Sequence, residues 1–359
     1  MLNSLRPCFL LAMALLAGCG DGASEAASAS ALVIDTGSDS ARRQHEVNLT
    51  FARNYQAKCP TTPASRPRLL LTGFVFNATG SMVGEVVPEA RVSGGFRGAG
   101  VVAPATQLGV GSRLVRLPGV DAEVEVCAMT LPVAWDLAAV LILRELEAFA
   151  PNFVMMNGIG GAREKIWLEL GAMNAALISE DGTSTIKPAG DPSTYVPLVP
   201  SASADEYLRP NLLSWGAVQG AGREAIAKSS RRGGFGASFD DVALGVALAG
   251  FPRGGNSFVC NNITYTVGYV MDHPEKATRL LESTGGDPGI EVRLSRDYAL
   301  VPRVFVHWPY ELAPNFVAAG ADVMKAMAAA QFDALARGDR PTRGDNAAAD
   351  PTLRGGNSY

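Results

Sequence analysis

The chain has 359 residues, of which 47% are hydrophobic, and its formal net charge at pH 7 is -4. A chain of this length and hydrophobic content can bury a full-sized core. Its mildly acidic charge, without a basic run, argues against a nucleic-acid partner. After the N-terminus, no segment is apolar enough to span a bilayer.

Residues 1–18 have the pattern of a bacterial signal peptide with a lipobox. Arg6 precedes an apolar run at residues 8–16, which is too short to span a membrane. The segment ends in the letters LAGC, which predict cleavage before Cys19 and a lipid on its thiol. We therefore expect a protein of the bacterial cell envelope, on the periplasmic side, that meets the membrane through its N-terminal lipid alone. An ordinary signal peptide followed by an incidental cysteine is the alternative.

The two flanks of the remaining chain are polar. Residues 19–65 begin with a Ser- and Ala-rich stretch and predict a flexible stalk, with one polar helix between Ser38 and Gln56. Residues 333–359 predict a disordered tail. A single ordered domain is therefore expected over residues 66–332.

Strand and helix patterns alternate within that domain. The predicted elements are a buried strand at Arg68–Thr72, an alternating strand at Ala122–Pro132, a helix that Asp136 caps and Pro151 ends, a strand in NFVMMNGIGG, a strand in PRVFVHWP and a helix at Asn315–Arg337. This alternation predicts a three-layer α/β/α domain with a mainly parallel twisted sheet. In such sheets the chemistry lies at the carboxyl ends of the strands.

Cys260 follows a Gly-rich turn and precedes an apolar run. Ile263, Val267 and Val270 recur at a spacing that suits one face of a helix. Cys260 would then lie near the helix N-terminus, where unpaired N–H groups and the helix dipole favour a thiolate. A small buried residue is the alternative, because free cysteine is among the most buried residue types.

The cysteine count bears on the same question. Of five cysteines, Cys8 leaves with the signal peptide and Cys19 would carry the lipid, so three remain. An odd number in an oxidising compartment predicts one disulfide bond and one free thiol. Cys59 and Cys127 are the natural pair if Cys260 is reactive, although the sequence leaves the pairing open.

Motifs for several other chemistries are absent from the sequence. It contains no G-x-S-x-G elbow, no Walker lysine after a glycine loop and no H-E-x-x-H zinc helix. Arg163 stands where a dinucleotide turn starting at Gly158 would need its third glycine. We therefore expect neither a metal nor a cofactor.

A reactive cysteine needs a base, and the chain has three histidines. His45 falls in the predicted stalk and His273 precedes Pro274, whereas His307 ends a predicted strand. His307 is the best-placed candidate for the base. A carboxylate would then hold the tautomer of the imidazole, and local pattern leaves its identity open.

Four motifs together resemble pyroglutamyl peptidase I, a family of cysteine peptidases that remove N-terminal pyroglutamate. LLLTGF resembles the family's first strand and turn, SFVCN the surroundings of its nucleophile, and VFVHWPY the surroundings of its base. GGAREKIWLELGAMN is similar to the motif GGRxxIxxERVAIN, with Arg163, Ile166, Glu169, Ala172 and Asn174 in register. The four motifs occur in the family's order and cover roughly residues 66–332.

The resemblance implies a role for each matching residue. Cys260 would be the nucleophile, His307 the general base and Glu169 the carboxylate that orients it. The pyroglutamate pocket and the oxyanion site would be formed by Phe74, Phe76, Phe258, Val259 and Arg163.

The sequence also departs from the family pattern. The first turn reads GFVFNATG and lacks the family's proline, Leu170 replaces an arginine of the second motif, and the spacings between the motifs are longer. The implied function is a cysteine omega-peptidase whose substrate is a peptide with a blocked N-terminus. A related amidase acting on another blocked amino terminus, and a non-catalytic envelope lipoprotein that retains the fold, are the alternatives. The sequence does not indicate an oligomeric state.

Overall fold

The computed structural model describes residues 32–62, 65–93, 100–160, 165–231, 245–249, 257–309, 316–350, 353 and 355–356. The helices in these ranges are α1 (Asp39–Asn54), α2 (Ala78–Val86), α3 (Leu137–Phe149), α4 (Trp215–Arg231), α5 (Val259–Asp272), α6 (Phe316–Ala336) and α7 (Gly344–Ala348), with 3-10 turns at Pro88–Ala90, Pro104–Thr106 and Ala204–Glu206.

In chain order the strands are β1 (Arg68–Phe74), β2 (Gly109–Val115), β3 (Val124–Leu131), β4 (Phe153–Gly160), β5 (Lys165–Glu169), β6 (Gly171–Met173), β7 (Ala176–Leu177), β8 (Tyr195–Val196), β9 (Leu208–Pro210), β10 (Leu212–Leu213), β11 (Gly245–Ala249), β12 (Thr278–Leu280), β13 (Ile290–Val292), β14 (Arg303–Pro309), β15 (Thr342–Arg343) and β16 (Gly355–Gly356). Five strands of the main sheet have seven or eight residues, namely β1, β2, β3, β4 and β14, and the other described strands have five or fewer.

The main sheet has the strand order β16-β11-β5-β14-β4-β1-β3-β2. The central pairs β1–β3, β1–β4 and β4–β14 are parallel, whereas β5 runs antiparallel to β14 and β2 antiparallel to β3. Every residue of β1 is buried, as expected for a strand covered on both faces. The prediction of a mainly parallel sheet is confirmed.

Two apolar clusters lie on opposite faces of the sheet. One cluster includes buried residues of α1, α3 and α5, and the other includes buried residues of α2, α4 and α6. A sheet between two helical layers is the three-layer α/β/α architecture that the alternation of strands and helices predicted.

The predicted stalk is wrong for the part that the structure describes. The predicted polar helix is present as α1, and Ser38 caps it by accepting a hydrogen bond from the Ala41 amide at 3.1 Å. However, Leu49 and Ala52 pack in the core, and the Ile34 amide donates to the Glu282 carbonyl at 2.7 Å. Residues 32–62 therefore belong to the domain. Residues 1–31, including the predicted signal peptide and Cys19, lie outside the described residues.

The predicted disordered tail is also wrong for residues 333–350 and 355–356. The helix α6 ends at Ala336, one residue before its predicted end, and after it β15 pairs with β10 of the main sheet. The indole of Trp215 donates to the Thr342 carbonyl at 2.8 Å, and the Gly344 amide donates to the Asn211 carbonyl at 2.9 Å. These bonds satisfy polar groups of a segment whose composition alone looked unstructured. Within the described residues, no helix combines the length and the apolar character needed to cross a bilayer.

Candidate active site

Strand register places two of the predicted site residues on one face of the sheet. His307 of β14 pairs with Gly158 of the parallel strand β4 and with Trp167 of the antiparallel strand β5. Side chains of directly paired residues point to the same face, and residues two apart along a strand do so as well. Glu169, two residues after Trp167, therefore shares a face with His307.

Glu169 and His307 form a buried pair. The Nδ1 atom of His307 is hydrogen-bonded to Oε1 of Glu169, and the two residues are 5% and 1% exposed, respectively. The ring of Phe305 packs edge-on against the imidazole with the ring centroids 4.7 Å apart. A carboxylate accepts this bond, so Nδ1 carries the proton and Nε2 is the nitrogen that can exchange a proton with a reacting group.

Cys260 is the second residue of α5, and it is half-buried and not in a disulfide bond with any described cysteine. Its Sγ atom lies 3.0 Å from the position that a Cβ on Gly158 would occupy. Because Gly158 is the strand partner of His307, the thiol lies over the sheet next to the histidine's position. The structure thus brings the thiol to the strand position beside the buried Glu169–His307 pair, near the carboxyl end of β4.

The first turn of α5 adds hydrogen-bond donors to this site. Phe258, the N-cap residue, has an extended backbone and makes no side-chain cap bond within the described part of the chain. The first N–H groups of a helix have no partner inside the helix, and the helix dipole makes this end positive. The turn that carries Cys260 can therefore stabilise a thiolate or a developing oxyanion.

Two asparagines that directly follow Cys260 hold α5 in place by hydrogen bonds. The sequence pattern did not indicate this role. The Asn261 amide donates to the carbonyls of Met173 and Ala175, at 2.8 Å each, and its Oδ1 accepts from the Met173 amide at 3.0 Å. Asn262 donates to Asp136 Oδ1 at 3.0 Å and accepts from the Asp136 amide at 3.1 Å. Asparagine is unfavourable inside helices, so two in succession are the signal that could have indicated such partners.

Asp136 occupies the N-cap position of α3, as the sequence predicted, but its side chain makes no capping hydrogen bond within the described residues. Its backbone is left-handed (φ 57°), and its second carboxylate oxygen accepts a bond from the Leu281 amide at 2.9 Å. Burial raises the pKa of Asp136 to about 6, while the bonds from Leu281 and Asn262 act in the opposite direction. Asp136 thus joins α5, the helix that carries Cys260, to the start of α3.

Another buried asparagine, Asn157, links three strands of the sheet near the site by hydrogen bonds. The indole of Trp308 donates to Asn157 Oδ1 at 3.0 Å, and Asn157 donates to the Thr72 carbonyl at 2.9 Å. This bridge runs across β14, β4 and β1. It fixes the relative positions of the strand that carries His307 and the strand that carries Gly158.

The predicted pocket residues separate into two groups. Phe74 and Val259 are buried in the core cluster against which Cys260 packs, and Phe258 is partly buried with its ring 5.3 Å from that of Trp135. Phe76 is instead 38% exposed and lines a cavity of about 600 Å³ whose lining includes none of the three predicted catalytic residues. Arg163 lies outside the described residues.

Cys59 and Cys127 form a disulfide bond, which is the pairing that the sequence favoured. The nearby carboxylate of Glu145 is fully buried, and it accepts hydrogen bonds from the Tyr55 hydroxyl and the Lys58 amide. Among the described residues, the group that most resembles a set of metal ligands consists of Cys59, Cys127 and Glu145. The two sulfur atoms are bonded to each other, so the group does not offer thiolate ligands.

No family model and no curated relative matches the chain. Among solved structures, it is similar to the pyrrolidone carboxyl peptidase of Thermococcus litoralis, with 15% identity over 76% of this chain and 96% of that chain and a TM-score of 0.43. The corresponding enzyme of Pyrococcus furiosus has 16% identity, coverages of 75% and 99%, and a TM-score of 0.44. Pyroglutamyl peptidase I of Bacillus amyloliquefaciens has 16% identity, coverages of 74% and 97%, and a TM-score of 0.41. No activity passes from one chain to another at this level of similarity, so the function must be argued from the chemistry of the site.

Proposed function

We propose that this protein is a cysteine peptidase that hydrolyses the amide bond after an N-terminal pyroglutamyl residue. The observation that carries the proposal is the approach of the Cys260 thiol to the strand partner of His307, whose imidazole is held by buried Glu169. A nucleophile, a base and a group that orients the base are the parts that thiol catalysis requires.

The first half of the reaction forms a thioester. His307 accepts the thiol proton at Nε2, and the sulfur of Cys260 bonds to the carbonyl carbon of the pyroglutamyl residue. The N–H groups at the start of α5 stabilise the resulting oxyanion. The carbon–nitrogen bond then breaks, and the proton on His307 moves to the leaving amine, which departs as the shortened peptide.

The second half of the reaction restores the enzyme. A water molecule gives a proton to His307 and its oxygen bonds to the thioester carbon. The carbon–sulfur bond breaks, pyroglutamate leaves, and the proton returns to the sulfur. Glu169 keeps its bond to Nδ1 throughout and stabilises the charged imidazole in each half-reaction.

The apolar surroundings of Cys260 suit a pyroglutamyl group. This residue has no free α-amine because its nitrogen is part of a lactam, so its site needs no acidic partner. Phe258 provides aromatic surface directly before the helix that carries the thiol, supported by the fully buried Trp135, and Val259 is fully buried there. A small apolar slot with a few backbone hydrogen bonds is the kind of site that a lactam requires.

Hydrolysis of a fluorogenic pyroglutamyl amide tests this function, with the Cys260→Ala variant as the control. We expect turnover by the wild type and none by the variant. Hydrolysis of an acetylated amino-acid amide, without hydrolysis of the pyroglutamyl amide, would indicate the related amidase instead. Failure on both substrates by a folded wild type would favour the non-catalytic envelope protein.

We also propose that the protein works in the bacterial cell envelope, held by a lipid on Cys19. Two observations support this location: the LAGC sequence and the disulfide bond between Cys59 and Cys127, which suits an oxidising compartment. The full chain, expressed in a bacterium that processes lipoproteins, should partition with membranes. The Cys19→Ser variant should be released or remain unprocessed, and a wholly soluble wild type would refute the anchor.

A further inference from the structure

A second cavity lies beside α5, the helix that carries Cys260. It is formed by the segment between β6 and β9. Its volume is about 290 Å³, and Tyr195, Tyr207, Asn174 and Ala175 are among the residues that line it. Among the residues that the structure describes, none that lines it is acidic or basic. We call this space the tyrosine cavity.

The walls of the tyrosine cavity are held by hydrogen bonds. The side chain of Asn174 donates to the Val199 carbonyl and accepts from the Val199 backbone amide, at 2.8 Å each. The backbone amide of Asn174 donates to the Tyr207 carbonyl at 2.8 Å. On the hairpin of β7 and β8, Ala176 pairs with Val196, and both residues are buried in the core cluster. The cavity is therefore part of the folded domain and is pre-formed.

Two bonds join the same segment to the start of the nucleophile helix. The carbonyl of Ala175, a lining residue, accepts from Asn261, the residue after Cys260, at 2.8 Å. The Leu177 amide donates to the carbonyl of Ser257, three residues before Cys260, at 2.8 Å. The cavity segment is therefore bonded to residues on both sides of Cys260 in the chain. In the tetrahedral intermediate the leaving residue is still bonded to the carbon that carries the sulfur, and this segment is the candidate to receive it.

The segment between β6 and β9 also exposes aromatic and apolar side chains to solvent. Tyr195 is 51% exposed, Tyr207 is 44% exposed, and Leu177, directly opposite Tyr195 in the hairpin, is 39% exposed. Large apolar side chains grouped on an ordered surface are typical of binding sites. Tyrosine suits this role because it offers a large contact area and has few torsions to immobilise.

We propose that the tyrosine cavity binds the residue that follows the scissile bond and selects substrates in which this residue is apolar or aromatic. The proposal rests on the proposed peptidase function, since it assigns the leaving part of that substrate. The volume accommodates one side chain, and an uncharged wall penalises aspartate or lysine because their charges would lose water without gaining a partner.

The test compares kcat/KM for pyroglutamyl-phenylalaninamide and pyroglutamyl-alaninamide. The proteins are the wild type, Tyr195→Ala, Tyr207→Ala and, as a control, Leu300→Ala, which removes an exposed apolar side chain elsewhere. We expect the wild type and the control to prefer phenylalanine by on the order of tenfold, and each tyrosine variant to lose most of this ratio. An unchanged ratio, or an equal loss on both substrates, would overturn the proposal.

A binding measurement separates this proposal from the peptidase function. Calorimetric titration of the Cys260→Ala protein with phenylalaninamide and with alaninamide needs neither turnover nor a pyroglutamyl group. Tighter binding of phenylalaninamide that disappears when Tyr195 is also replaced by alanine would support the cavity, even if no pyroglutamyl substrate were cleaved. Equal binding of the two amides would overturn it, even in an active peptidase.

Discussion

The sulfur of Cys260 rests against the bare Cα of Gly158, 3.0 Å from the point at which a side chain on that residue would begin. The same point is 2.7 Å from Cζ of Phe305, in the strand that carries His307. A real Cβ contact below 3.0 Å is essentially never seen and one at 3.0 Å is rare, so a glycine is required here by the close approach of both the Phe305 ring and the thiol to β4. The relationship leads directly to a first prediction.

We expect Gly158→Ala to lower kcat by roughly a hundredfold, because the added methyl group pushes the thiol away from its position beside His307. The melting temperature and kcat on a pyroglutamyl amide would be measured together. The matched control is Gly220→Ala in α4, where an added Cβ meets nothing within 4 Å. Full activity of a folded Gly158→Ala protein would contradict the placement of the thiol.

A second prediction concerns the pair of Glu169 and His307. Since the role proposed for Glu169 is to orient the imidazole and not to react, Glu169→Gln should lower kcat by about ten- to a thousandfold. His307→Ala should lose nearly as much turnover as Cys260→Ser, because residues that act as one unit are not additive. Steady-state kinetics on a pyroglutamyl amide would measure all three variants. Wild-type turnover by His307→Ala would refute its assignment as the base.

A third prediction concerns thiol reactivity. Because Cys59 and Cys127 are bonded to each other, iodoacetamide without a reductant should label Cys260, the described cysteine outside that disulfide. At pH 6 labelling should be faster than for free cysteine, since an unperturbed thiol is almost wholly protonated there. Peptide mass spectrometry would give both the site and the rate. The rate should fall in His307→Ala, and an unchanged rate would show that His307 does not hold the thiol proton.

The sequence predicted the elements whose signal is local. The central strands, α3 and α5 followed from apolar periodicity, since each is buried along its own length. The helix α1 was found as well, but its polar composition hid the packing of Leu49 and Ala52 against the core. The C-terminal segment was missed because Trp215 and Asn211, which bond to it, lie far away in sequence.

The same distinction applies to the site. Cys260, Glu169 and His307 were named from short motifs, yet the contact between Glu169 and His307 spans 138 residues and depends on strand order. The bonds of Asn261 to the end of β6 and to Ala175 after it, and of Asn262 to Asp136, could not be predicted from local pattern, because they require the packed helix. A local pattern can therefore name reactive side chains, but tertiary packing decides what holds them.

The last prediction concerns Asp181, a buried carboxylic acid in the turn that follows β7. Burial raises its pKa from the ordinary value of 3.8 to about 7, while bonds from the Thr183 amide and hydroxyl act in the opposite direction. Its Oδ2 atom is buried without a hydrogen-bond partner among the described residues. The folded protein therefore keeps this proton up to near pH 7, whereas the unfolded chain loses it near pH 4.

This difference fixes the sign of a pH effect. Between about pH 4 and pH 7 the folded state binds more protons at Asp181 than the unfolded state does, so the free energy of unfolding falls as the pH rises. Asp181→Asn keeps an oxygen for Thr183 and cannot ionise. From pH 5 to pH 8 the wild type should lose on the order of 2 kcal/mol more stability than this variant, as measured by urea denaturation. Asp191→Asn, which replaces an exposed carboxylate whose pKa is lowered by bonds from Ser193, is the control and should keep the wild-type slope. Equal slopes for the wild type and Asp181→Asn would mean that Asp181 is ionised in the folded protein, with a partner that satisfies its charge.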